Sequence, residues 1–162
     1  MNKDFTTPDL CDEYGIDVQV SLGTYQSYGA IHKFYGKVET VLCPDDNSMV
    51  KEILAEKGDN RVLVINAQGI KHVSMIGDQI ASKAATNEWS GIIVNGYIRD
   101  IEVLKTIPIG IFAKGPIPRK TEKRGLGEKS VEIYFDGVDI KPGMWVYADS
   151  NGWIVSKKQL IL

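Results

Sequence analysis

Two short stretches hold residues that could do chemistry together. One is Gly77-Asp78-Gln79-Ile80; the other is Arg99-Asp100, at the end of NGYIRD. Twenty residues lie between Asp78 and Arg99. Arg99 presents a planar cation that can grip a carboxylate through two parallel hydrogen bonds and never loses its charge. Asp100 is a hard oxygen donor of the kind that Mg²⁺ or Mn²⁺ takes. Asp78 adds a second carboxylate that could reach such an ion directly or through water, because Mg²⁺ keeps several waters and accepts few protein carboxylates. Gly77 lets the backbone turn sharply or approach a ligand closely. At the opening of a helix, Gln79 and Ile80 would offer unpaired N–H groups and the positive end of the dipole to a carboxylate or an enolate oxygen. Arginine, divalent cation and helix N-terminus together make a kit for a small 2-oxo acid. The cation would polarise the ketone and favour the enolate left by C–C cleavage. Taken singly, each residue also has an ordinary explanation. Asp78 is a good N-cap, an Arg-Asp pair is most often a solvated ion pair, and glycines mark turns.

Bringing the two stretches together requires particular elements. RVLVI (61–65), GIIVNG (91–96) and IGIFAKG (109–115) are apolar runs of strand length. Between them lie a helical pattern over 80–88, with Ile80, Ala81, Ala84 and Ala85 on one face, and IEVLKTI (101–107), stopped by Pro108. Buried runs alternating with helices predict a parallel βαβαβ unit with right-handed crossovers. Both stretches then fall where a strand hands over to a helix, on the carboxyl rim where open α/β sheets bind ligands. Adjacent residues of a regular strand point to opposite faces. The chain is therefore expected to leave the strand at Gly96, so that Arg99 and Asp100 turn into one cleft facing Gly77.

The flanking regions read more simply. TTPDLCDEYG predicts a short helix capped by Thr7, with Pro8 at its first position and Gly15 at its end. Residues 16–33 read as loop with strand pieces, and FYGKVETVLC (34–43) as a strand. A helix follows from Asn47, with Met49, Val50, Ile53 and Leu54 at helical spacing, closed by Gly58. The last third is β-rich, and Asp136-Gly137, Pro142-Gly143 and Asn151-Gly152 punctuate it as turns. The expected fold class is α/β: one domain over 1–162, with a βαβαβ core and a β-rich C-terminal half.

Composition removes several function classes. The net charge of −2 gives no general reason to expect direct nucleic-acid binding. No apolar stretch is long enough for a membrane span, and the polar start MNKDFTTPDL lacks the apolar core of a secretory signal, so a cytoplasmic location is expected. Cys11 and Cys43 lack CxxC spacing and read as reduced thiols. Two histidines without an HExxH motif argue against a His-rich zinc site, and His72 reads as non-catalytic. No GxGxxG follows the first buried strand, which argues against a methyltransferase. Arg119, Lys120, Lys123 and Arg124 read first as a solvated loop, with anion attraction near the site as the alternative. Asp149 reads as turn chemistry, and Trp89, Trp145 and Trp153 as core or interface aromatics.

GDQIASKAATNEWSGIIVNGYIRD, KTEKRGLGE, FDGVDIKPGMWVYAD and NGWIVS resemble the RraA-like family over nearly the whole chain. That family includes the regulator of ribonuclease E activity A and metal-dependent 4-hydroxy-4-methyl-2-oxoglutarate aldolases. Its aldolase branch carries an Asp, twenty residues and an Arg-Asp pair, and Asp78 with Arg99-Asp100 matches that pattern intact. The resemblance implies a swivelling β/β/α-type domain in a ring-shaped homotrimer with sites between subunits. It implies that Arg99 binds substrate carboxylate, Asp100 holds Mg²⁺ or Mn²⁺, Asp78 holds metal-bound water, and the backbone of Gly77, Asp78, Gln79 and Ile80 contacts the pyruvyl end. The implied activity is metal-dependent cleavage of 4-hydroxy-4-methyl-2-oxoglutarate to two pyruvates, with oxaloacetate decarboxylation as a side activity. The alternative is a non-catalytic regulator that binds ribonuclease E. Longer aldolases of the family bring an acidic residue from a neighbouring subunit's C-terminal extension. The sequence ends at Leu162 after Lys157-Lys158 without such a tail, so weaker activity or a different substrate is expected.

Overall fold

A computed structural model describes residues 4–162, and the first three residues of the polar N-terminal stretch lie outside that range. The elements in chain order are α1 (Thr7–Tyr14), a 3₁₀ turn (Gly15–Asp17), β1 (Val18–Val20), β2 (Gln26–Ser27), β3 (Phe34–Leu42), α2 (Ser48–Leu54), β4 (Val62–Asn66), α3 (Asp78–Thr86), β5 (Gly91–Ile98), α4 (Ile101–Leu104), β6 (Gly110–Pro116), β7 (Glu128–Lys129), β8 (Ile133–Phe135), β9 (Val138–Ile140), β10 (Trp145–Asp149) and β11 (Gly152–Ser156).

Every residue of β4 is buried, which a strand achieves only when both faces of its sheet are covered. Side chains alternate between the two faces. Leu63, Ile65, Ile92, Val94 and Ile111 pack with Val50, Ile53 and Leu54 of α2, Ala81 and Ala84 of α3, and Leu104 of α4. Val62, Val64, Ile93 and Phe112 pack on the other side with Ile133, Phe135, Val138 and Ile140 of the β8–β9 hairpin, and with Val146, Trp153 and Val155 of β10 and β11. Truncating one of these large side chains to Ala should cost about 2–5 kcal/mol, which is why the site rests on a rigid floor.

The main sheet has the order β1-β11-β10-β3-β4-β5-β6-β2, with β7 pairing to β3. β3–β4, β4–β5 and β5–β6 are parallel. The start of β3 pairs antiparallel with β10 and its end pairs parallel with β4, so this one strand joins the two halves of the fold. The α/β class, the parallel core and the β-rich C-terminal half all match the expectation. Asp136 and Gly137, both at positive φ, close the β8–β9 hairpin as the Asp-Gly signal predicts. Among the described residues, no helix is long and apolar enough to cross a membrane.

Several boundaries differ from the sequence reading: the helix expected over 80–88 is α3 at Asp78–Thr86, the one over 101–107 ends at Leu104, and three further differences bear on the frame. Thr6, not Thr7, caps α1, because the N–H and hydroxyl of Thr7 both donate to the buried Asp149 carboxylate, each at 2.7 Å. The second helix ends at Leu54, short of Gly58. The chain does not leave β5 at Gly96: the strand bulges between Val94 and Tyr97, then pairs with β6 again through Ile98. A bulge re-aims the strand without ending it, so the exit comes two residues later than expected.

Candidate active site at the strand carboxyl ends

The two chemical stretches meet because α3 runs out from the rim and β5 runs back to it. Three backbone contacts hold them side by side. Ser74 bridges Tyr97, Met75 N–H donates to Tyr97 O at 2.8 Å, and Arg99 N–H donates to Ile76 O at 3.1 Å. Gly77 is the N-cap of α3, and Asp78 is its first helical residue rather than its cap. A Cβ on Gly77 would sit 2.6 Å from Asp100 Oδ2 and 3.3 Å from Arg99 Nε, so only glycine leaves room for both side chains. Both side chains therefore lie beside Gly77 as expected, but only Arg99 of the two lines the adjoining cleft; Asp100 does not.

Asp100 adopts the left-handed conformation, φ 60 and ψ 39, at the start of α4. Asp tolerates this region better than most residues, though at some cost. In return, its Oδ2 accepts the Asp78 N–H at 3.0 Å, so Asp100 caps α3 from across the junction. Arg99 Nε lies 3.9 Å from the same oxygen, with both side chains about one-third exposed (38% and 34%). A pair at that distance and exposure contributes little, which leaves Arg99 available for another anion. In the first turn of α3, the Gln79 N–H donates to Asp78 Oδ1 at 2.9 Å. The Ile80 N–H has no acceptor among the described residues. It is the open donor at the positive end of the helix.

These groups edge a cleft of about 830 Å³. Gly77, Asp78, Gln79, Ile80 and Arg99 line it, as expected. Asn47 and Lys51 from the α2 end, Ser82 and Lys83 from α3, Ser74, Lys120 and Lys123 complete the wall and were not singled out as site residues. Five cations thus face one lining carboxylate in a chain of net charge −2. The spacing of Gln79, Ser82, Lys83 and Thr86, opposite buried Ala81 and Ala84, is the helical signal that could have found part of this wall. Lys120 and Lys123 are exposed, as the solvated-loop reading expects, and also line the cleft, as its alternative expects. Arg124 faces Asp45 instead, at 3.3 Å, and exposed His72 also pairs with Asp45, at 3.0 Å, outside the cleft.

The family model described as Aldolase/RraA matches residues 7–155. The chain belongs to the RraA-like family. A relative from Hahella chejuensis, provisionally named 4-hydroxy-4-methyl-2-oxoglutarate aldolase, is 45% identical over 96% of this chain and 95% of that protein. One of the same provisional name from Xanthomonas campestris pv. campestris strain 8004 is 41% identical over 98% and 95%. Two solved structures superpose closely. One, described as an S-adenosylmethionine:2-dimethylmenaquinone methyltransferase from Geobacillus kaustophilus, has a TM-score of 0.95 at 38% identity, covering 96% of this chain and 97% of that one. The other, the RNA-processing inhibitor RraA from Thermus thermophilis, has a TM-score of 0.94 at 31% identity, covering 98% and 96%.

Within this RraA-like fold, the donor set determines which cation could fit. No cluster of three or more His, Cys, Asp or Glu side chains occurs among the described residues. Asp100 Oδ1 makes no hydrogen bond there, while Oδ2 is oriented by the Asp78 N–H. One oriented carboxylate with a second nearby suits a hydrated hard cation such as Mg²⁺ or Mn²⁺, and does not suit the closed N/S shell of structural zinc.

Proposed function

We propose that the chain is a divalent-metal-dependent aldolase that cleaves 4-hydroxy-4-methyl-2-oxoglutarate to two pyruvates, with oxaloacetate decarboxylation as a side activity. The observation that carries this reading is the junction itself, where Arg99, the Asp100 carboxylate and the open end of α3 meet around Gly77 beneath a cationic wall. The provisional aldolase names of relatives at 41–45% identity point the same way.

Arg99 grips the C1 carboxylate with its guanidinium fork, and the Ile80 N–H faces the pyruvyl end. A cation at Asp100 supplies Lewis-acid polarisation of the 2-oxo group. Lys120 and Lys123 take the distal carboxylate. Asp78 orients the water that accepts the C4-hydroxyl proton. As that proton leaves, C4 becomes a ketone, the C3–C4 bond breaks with its electron pair passing to C3, and C3 is then protonated. The geometry contributes by holding both ends of the substrate in place for this cleavage. A homotrimer with the cleft at its subunit interfaces is part of the proposal, as is a cytoplasmic location. Sedimentation at three times the chain mass would test the assembly.

A coupled pyruvate assay on purified protein, with and without Mg²⁺ or Mn²⁺, tests the activity. The reading expects metal-dependent turnover of 4-hydroxy-4-methyl-2-oxoglutarate and slower turnover of oxaloacetate. Absent or metal-independent turnover of both would sink it. A second reading, binding and inhibition of ribonuclease E, is favoured by the likeness to the Thermus RNA-processing inhibitor. A pull-down with ribonuclease E decides it, and that binding should survive loss of Asp100. A methyltransferase is not proposed, because β4 runs into Asn66-Ala67-Gln68-Gly69 and not into a glycine-rich cradle.

A further inference from the structure

The basic segment between β6 and β7 raises its own question. Lys120 and Lys123 line the cleft, yet residues 121–126 belong to no helix or strand. A stretch without ladder hydrogen bonds would ordinarily place two long cations loosely. One backbone bridge and several side chains hold it instead. The Arg119 carbonyl accepts the Ser74 N–H at 2.7 Å, and the Thr121 hydroxyl donates to Asn47 Oδ1 at 2.7 Å.

The third hold is the strongest. Asp46 is 1% exposed. Its Oδ2 accepts the Arg124 N–H at 2.8 Å and the Leu126 N–H at 2.9 Å. Its Oδ1 accepts the N–H and hydroxyl of Ser48 at 2.9 and 2.6 Å, and that hydroxyl in turn accepts the Gly125 N–H at 3.2 Å. Gly125 and Gly127 take positive φ, which lets the Arg-Gly-Leu-Gly backbone wrap its N–H groups around one carboxylate. Burial pushes the Asp46 carboxyl up, but the Ser48 hydroxyl and the N–H groups of Leu126, Ser48 and Arg124 outweigh it and bring the group down to about 2.

We propose that Asp46 is a positioning residue: by gripping the Arg124–Leu126 backbone it keeps Lys120 and Lys123 against the cleft, where they take the distal carboxylate of the substrate. The proposal rests on the reading of the cleft as a 2-oxo dicarboxylate site, and adds that the grip on the second carboxylate is set by a residue that never touches it.

The test compares two non-cleavable probes by calorimetry, with Mg²⁺ present. 2-Oxoglutarate has both carboxylates and no C4 hydroxyl; pyruvate has only the proximal end. The wild-type chain should prefer 2-oxoglutarate. Asp46→Asn keeps the shape but turns an acceptor into an NH₂ group facing N–H donors. It should weaken 2-oxoglutarate about tenfold, the size of one charge-assisted hydrogen bond, and leave pyruvate unchanged. In a chain already carrying Lys120→Ala and Lys123→Ala, Asp46→Asn should have no further effect on either probe. Ser48→Ala, which removes one donor to Asp46 and the acceptor of the Gly125 N–H but spares the grip on Arg124 and Leu126, should give a smaller loss in the same direction. Amide hydrogen exchange over 119–126 should quicken in Asp46→Asn while the β4 and β5 amides stay protected, which separates a freed segment from an unfolded chain. Exchange unchanged over 119–126, or a 2-oxoglutarate preference that survives Asp46→Asn, would overturn the inference. A wild-type chain with no such preference would instead overturn the two-ended substrate reading, and the inference with it.

Discussion

The parallel strands have a cleft at each end, and the two are nearly equal in size. The carboxyl-end cleft encloses about 830 Å³ and the amino-end cleft about 730 Å³. Their linings differ in kind. At the amino end, Lys33 and Lys37 are matched by Asp4 and Asp59, and Lys33 is already engaged by Asp4 at 2.9 Å. Aromatic rings of Phe5, Phe34, Tyr35, Trp89 and Trp145 also line that wall. At the carboxyl end, five cations face Asp78, and the first turn of α3 adds an open N–H. Volume therefore does not distinguish the candidate site from its counterpart. Uncompensated charge and a glycine that admits two neighbouring side chains do.

Substitutions that break this asymmetry should do so in a graded way. The largest effect is expected from Gly77→Ala, whose methyl would sit 2.6 Å from Asp100 Oδ2. A displacement of that carboxylate by a few tenths of an ångström or more should lower kcat by about 100-fold, with the melting temperature nearly unchanged. Steady-state rates beside a thermal melt would show whether the two separate. Arg99→Lys should raise the Michaelis constant by about tenfold at similar kcat, because the bidentate fork is lost while the charge stays. An unchanged constant would count against the role of Arg99.

Smaller effects should follow pH and the opposite cleft. The Asp46 carboxyl is lowered in the folded chain, to about 2. Its contribution to stability is thus fully present above the ordinary carboxylate pKa of about 3.9 and is lost as pH falls toward 2. Melting temperatures of wild type and Asp46→Asn should therefore stay apart above about pH 5 and converge as pH falls from about 4 through 2. Convergence at neutral pH would contradict this. Lys37→Ala, in the amino-end cleft, should leave turnover within about twofold, as surface substitutions away from a site usually do. A larger loss would mean that the two clefts are less different than their linings imply.

The sequence revealed the meeting of the two stretches more readily than the frame around it. Gly77, Asp78 and Arg99-Asp100 were legible because each sits at a strand-to-helix junction that local pattern marks, and because their spacing resembles the aldolase branch. The extension of β5 to Ile98 was not, since it depends on re-pairing with β6 after a bulge, and no local preference encodes a partner strand. The choice of Thr6 over Thr7 as cap was hidden for a related reason. Asp149, 142 residues away, takes both polar groups of Thr7. The same carboxylate accepts the Asn151 N–H at 2.9 Å, so the expected turn chemistry is present beside a second duty. Lys120 and Lys123 were noticed but read first as a solvated loop, because a segment without period gives no face to read, and what orders it is a carboxylate 78 residues upstream of its Arg124 contact.

The central claim is that Asp100 serves as cation ligand and helix cap at once, and that only the first duty carries turnover. Asp100→Ala separates the two when pyruvate release from 4-hydroxy-4-methyl-2-oxoglutarate is titrated with Mg²⁺ and the melting curve is recorded on the same preparation. The account predicts that metal-dependent release falls to background while the chain stays folded, losing about 1–3 kcal/mol from the missing cap of α3 and from alanine at a positive φ. Metal-stimulated turnover that persists in the folded variant would contradict it.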